Sequence, residues 1–162
     1  MKHLIALMPL LATPTMAADC TLANAIYDQP GTVYELHFKP VPAERAGGTF
    51  ANQFEMTDIN PELSFNATTK WTSGASVPLT EMMLNCPAEP EADAYKACLI
   101  YSSQLYVLDG GKLSEMVGES SPPPEQILFP GFRNTLWYSK LQYIYGVMTM
   151  PADIFHFQGC SD

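Results

Sequence analysis

His37 and His156 are the two histidines downstream of the first residues of this 162-residue chain. Imidazole titrates near neutrality, so these side chains are the first candidates for moving a proton. His37 lies between Glu35 and Lys39, and His156 lies between Phe155 and Phe157. A small hydrolase would pair one of them with a carboxylate. Paired carboxylates flanking a scissile glycosidic bond are a separate option, for which Asp28, Glu35 and Glu81 are unremarkable choices among seventeen acids. Nothing in the spacing supports either reading further. No GxSxG elbow presents a serine, and no HExxH, Walker A, GxGxxG or EF-hand pattern occurs. No catalytic residue, metal site or cofactor is therefore expected, and the chain reads as non-catalytic.

The four cysteines, Cys20, Cys86, Cys98 and Cys160, carry the second chemistry. An even number in an exported chain points to disulfides, whereas zinc would need close Cys/His spacing that is missing here. Three pairings are possible; the favoured set joins Cys86 to Cys98 across a short loop and Cys20 to Cys160 across the domain. Export itself is read from residues 1–17. Lys2 precedes an apolar run from Leu4 to Ala12, and Pro14 and Thr15-Met16-Ala17 complete the layout of a signal peptide. Cleavage is expected after Ala17, leaving 18–162 as one periplasmic or secreted domain without a transmembrane anchor. The apolar run is too short to span a bilayer.

Seventeen acids face eight bases, a net charge of −9. That excess disfavours nucleic acid and anionic lipid, and it suits a cationic partner. Small size, a leader, paired cysteines and acidity together are similar in general terms to small envelope proteins, including periplasmic lysozyme inhibitors. The signature motif of those inhibitors is absent, so no residue is carried over from them.

These groups must be positioned by a fold rich in strands. Asp109-Gly110-Gly111-Lys112 separates two apolar runs, Leu99–Leu108 and Leu113–Val117, and predicts a β-hairpin within Cys98–Val117. Val33–Lys39 alternates, with Tyr34, Leu36 and Phe38 on one face and Glu35, His37 and Lys39 on the other. Phe50–Met56, Leu63–Trp71, Leu79–Cys86 and Ala152–Gln158 add further strands. Short helical turns are expected at Thr21–Tyr27 and Glu125–Leu128, and a solvated loop at Pro87–Ala94. Thr135–Tyr145 fits both periods, but its aromatic content favours a strand. The sum is a mainly β fold, a small antiparallel sandwich or barrel of about seven or eight strands.

The remaining candidates are aromatic. Tyr101, Tyr106, Trp137, Tyr138, Tyr143 and Tyr145 crowd the C-terminal half. Tyr101, Tyr106, Trp137 and Tyr138 are the candidate binding residues, because such rings fill cores and also anchor interfaces and ligand sites. If Leu99–Leu108 is one strand, Tyr101 and Tyr106 face opposite ways. The functional expectation is an exported binding or interaction protein of the bacterial envelope. A lipocalin-like carrier is the third possibility, and it requires an apolar cavity inside a closed barrel.

Overall fold

In the computed structural model, residues 20–46, 48–58, 63–72, 77–87, 90–143 and 150–161 are described. The proposed leader and Tyr145 lie outside them. Among the described residues, ten strands form one antiparallel sheet in the order β6-β5-β4-β3-β2-β1-β10-β9-β7-β8. The strands are β1 (Ala25–Asp28), β2 (Glu35–Lys39), β3 (Phe50–Thr57), β4 (Phe65–Lys70), β5 (Leu79–Leu84), β6 (Leu99–Ser103), β7 (Tyr106–Asp109), β8 (Lys112–Glu115), β9 (Gln126–Leu128) and β10 (Ile154–Cys160). Two helices join them, α1 (Ala92–Cys98) and α2 (Phe132–Trp137).

The sheet curls into a half-barrel. β6 is one edge and β7 lies next to the other, yet only Gln104 and Leu105 separate them in the chain. Three peptide units reach about 10 Å at most, so the two ends of the sheet must come close. Alternation then decides what the curl encloses. On β2, Leu36 and Phe38 are buried inside while Glu35, His37 and Lys39 face out, as the sequence pattern predicts. Phe54 and Met56 of β3, Phe65 and Ala67 of β4, Met82 and Leu84 of β5, and Phe155 of β10 join them in the core. Tyr27 of β1 is buried too, and its hydroxyl donates to Pro124 O at 3.0 Å.

The strand count of seven or eight is corrected to ten, and each difference has a local cause. Leu99–Leu108 breaks at Gln104–Leu105 because the chain there crosses from one end of the sheet to the other. Only the second part, β7, forms the expected hairpin with β8, turning on Gly110 and Gly111 at φ +54° and +75°. A helical turn does begin near Thr21, as a 3-10 segment Leu22–Asn24, but the chain becomes β1 at Ala25 to pair with both β2 and β10. Gln126–Leu128 is a strand rather than a helical turn, since β7 and β10 flank it. The described part of Thr135–Tyr145 is helical, not extended: α2 ends at Trp137 and a 3-10 turn covers Lys140–Tyr143. Its two buried residues in α2, Phe132 and Leu136, are four apart, and that spacing overrides the aromatic preference for strand. The loop expected at Pro87–Ala94 gives way to α1 from Ala92.

Two of the three bulges among the described strands redirect side chains. Between β5 and β6, Met82 opposes Tyr101 and Met83 opposes Leu99, leaving Ile100 as the extra residue. Ile100 and Tyr101 are consequently both buried. Between β3 and β4, Phe50 opposes Lys70 while Asn52 opposes Thr69. Ala51 is the extra residue, and Phe50 turns to the convex face instead of joining Asn52, Phe54 and Met56 inside.

Both expected disulfides are present, Cys20–Cys160 and Cys86–Cys98, with sequence separations of 140 and 12. Loop-closure entropy scales with the logarithm of length, so removing Cys20–Cys160 by double serine substitution should cost about 5 kcal/mol, and removing Cys86–Cys98 about 3 kcal/mol. Urea denaturation of the two variants measures the difference. Burial also pushes the phenols of Tyr34, Tyr95 and Tyr101 from 10 up to about 12, and that of Tyr27 further still. The unfolded chain ionises first, so this stability is complete below pH 10 and is lost as pH rises towards 12. Denaturation midpoints should fall across that window, and less steeply in Tyr101→Phe.

Candidate functional site

A turn followed by one short helix builds a recess where β10 begins. Phe129-Pro130-Gly131-Phe132 reverses the chain, with Gly131 at φ +67° and the Phe132 N–H donating to Phe129 O at 3.2 Å. α2 follows immediately, and its side-chain cap comes from a distant part of the sequence. Asp153, just before β10, accepts the Gly131 N–H at 3.1 Å and the Arg133 N–H at 2.9 Å. Two donors at the helix start are thereby satisfied by one carboxylate. Arg133 returns the tie, donating from Nε to Pro151 O at 3.4 Å and from Nη2 to Met150 O at 3.2 Å. Behind these, the buried Gln29 amide clamps Ala152 in both directions, at 2.6 and 2.7 Å.

Between α2 and the 150–153 segment lies a cleft of about 540 Å³, lined by Arg133, Asn134, Trp137, Met150, Ala152 and Asp153. Its walls are fixed from both sides by the bonds just described. Trp137 is half-buried there, and the exposed rings of Tyr138 (77%) and Tyr143 (85%) follow it in the chain. Ser139 turns the chain between them, donating to Leu136 O at 2.6 Å and accepting the Leu141 N–H at 3.1 Å. Lys140 anchors the turn to Ala97 O at 3.1 Å. The arrangement suits stacking and hydrogen bonding. Among its described lining residues there is no nucleophile paired to a base.

The four aromatic candidates therefore separate. Trp137 and Tyr138 belong to this region. Tyr101 is a core residue whose hydroxyl donates to Pro130 O at 3.2 Å and whose ring packs on Phe129 and Phe132. Tyr106 sits half-buried on the convex face, where the register places it beside Leu128. Arg133 and Asp153, which the sequence reading did not single out, frame the cleft. No local pattern joins two residues twenty positions apart, and Asp153 carries its role only once β10 is placed.

The histidines do not share a site. Both face outward, with His37 on β2 opposite Ile26 and His156 on β10 opposite Asp28. β1 lies between them, so their strands are two spacings, roughly 9.6 Å, apart. His37 Nε2 is 2.9 Å from Glu35 Oε2, while His156 Nδ1 lies 3.5 Å from the Gln126 side-chain amide. No group of three or more His, Cys, Asp or Glu residues could hold a metal ion among the described residues. No described helix is long and apolar enough to cross a membrane.

Asp153→Ala should lower the unfolding free energy by about 1–2 kcal/mol through loss of the α2 cap. Denaturation followed by tryptophan fluorescence, with Trp71→Phe as background so that Trp137 reports alone, measures both the stability and the integrity of the cleft. No family model, curated protein or solved structure matches the chain.

Proposed function

We propose that the protein is an exported, non-catalytic binding protein of the bacterial envelope that docks a protein partner on the α2 surface. A partner side chain enters the Trp137 cleft while Tyr138 and Tyr143 lie against the surrounding surface. The observation that carries this reading is the pairing of two freely exposed tyrosines with an adjoining concavity whose walls are held rigidly. Exposed aromatics beside a preformed pocket are the usual make-up of an interface hot spot. The net charge of −9 favours a cationic partner through long-range steering. Two disulfides fit an oxidising compartment, and the apolar run of residues 4–12 fits a leader. The interior of the curl is packed with aromatic rings, which weighs against a carrier of apolar ligands.

Export is tested by expressing the full chain in a bacterium and sequencing the N-terminus of the periplasmic product. Cleavage near Ala17 with four oxidised cysteines is expected, and an intact cytoplasmic product would overturn the localisation. For docking, a photo-crosslinking amino acid at position 138 or 143 should give one discrete adduct in living cells, and the same label at Asn66 should not. The partner recovered from that adduct should bind the purified protein with an association rate that falls as salt rises. Its affinity should drop more than tenfold in Tyr138→Ala/Tyr143→Ala. Equal labelling from all three positions would remove the α2 surface from the proposal.

A further inference from the structure

A second recess lies on the convex face of β3, β4 and β5, beneath the loop closed by Cys86–Cys98, with a volume of about 700 Å³. Its floor is a row of uncharged polar side chains. Gln53 and Thr68 are direct cross-strand partners, and Asn66 is the next outward residue on β4. Its far wall is apolar and comes from Met83, Pro87 and Pro90, with Tyr95 of α1 beside them. The Glu81 carboxylate lies beside that phenol.

The charge of this recess runs against the rest of the molecule. Both charged residues that line it are cations, Arg45 and Lys70, in a chain with more than twice as many acids as bases. The β3 bulge explains how they converge. By turning Phe50 outward, it places the ring 5.4 Å from the Arg45 guanidinium and 5.3 Å from Lys70 Nζ. Lys70 also meets Glu81 at 3.2 Å, which offsets one of the two charges. Arg45 has no carboxylate partner among the described residues.

We propose that this recess is a binding site for an acidic sugar, a small molecule that joins a carboxylate to several hydroxyl groups. The Arg45 guanidinium takes the carboxylate as a charge-assisted pair, with Lys70 adding to the field. Gln53 and Asn66 offer amide groups to the ring hydroxyls. Pro87 and Pro90 cover its C–H face. A simple carboxylate would use only the cations, and a neutral sugar only the polar floor. The site is distinct from the α2 cleft and does not depend on the docking proposed there.

The test uses the oxidised, full-length protein and three probes: glucuronate, glucose and acetate. Heteronuclear NMR titration should show saturable shifts of the Gln53 and Asn66 side-chain amides with glucuronate, and weaker or no shifts with glucose and acetate. Arg45→Gln changes an exposed residue with no ion pair, so it should fold normally and weaken glucuronate binding roughly tenfold. Asn66→Ala should weaken glucuronate without changing any residual acetate binding. The proposal is overturned by an absence of saturable shifts with glucuronate, by equal binding of acetate, or by unchanged affinity in Arg45→Gln.

Discussion

The fold depends on Phe129. Its ring meets Phe54 at 5.9 Å, Tyr101 at 5.9 Å, Phe132 at 5.1 Å and Phe155 at 5.3 Å. Those partners come from β3, from the edge strand β6, from α2 and from β10, so one residue touches the middle of the sheet and both sides of its opening. Hydrogen bonds do not close this sheet, because β6 and β7 lie near each other without pairing. Aromatic packing does the closing instead. Phe132 extends the bridge from Tyr101 at 5.0 Å to Phe155 at 6.3 Å. Edge and tilted contacts of this kind add about 0.5–1.5 kcal/mol each beyond area burial, and here they also set the curvature.

Much of this was readable before any coordinates. The alternation of β2 and the Asp109-Gly110-Gly111-Lys112 turn follow from local pattern, and the favoured one of three cysteine pairings is the one observed. What was hidden depends on pairing at a distance. Ala25–Asp28 carries no stronger strand signal than many four-residue runs, and it is extended because β2 and β10 hold it from both sides. The break at Gln104–Leu105 has no glycine or proline to announce it. Ile100 and Tyr101 can share one face only because of a bulge, which a strict period-two reading cannot anticipate. At the candidate site, the signal for Trp137 and Tyr138 was their type alone. The partners that give the cleft its shape, Arg133 and Asp153, became visible only when β10 was set beside β9.

Concave and convex faces divide the labour of the chain. Large apolar side chains turn inward and leave the outer surface of β2 to β5 to Glu35, His37, Lys39, Gln53, Glu55, Asn66, Thr68, Lys70 and Glu81. Most charges there neutralise one another across strands, as Lys70 does with Glu81 at 3.2 Å. Exposed pairs of this kind add little stability. They keep the convex face soluble and orderly, so a position that departs from the pattern, such as Arg45 beside an outward phenylalanine, is conspicuous.

The position of β10 has a consequence for how the molecule comes into being. Residues Ile154–Cys160 follow every other described strand in sequence, yet they sit between β1 and β9 in the interior of the sheet. Any machinery that delivers the polypeptide N-terminus first releases β1 to β6 as a ladder whose β1 edge is bare, and β7 to β9 as a separate small ladder. Neither can be finished until Ile154–Cys160 emerges and slots between them. Cys20 cannot find Cys160 before that moment either. The chain is thus a late folder by topology: its halves wait open-edged for a single short strand, which brings both the missing hydrogen bonds and Phe155 for the aromatic centre.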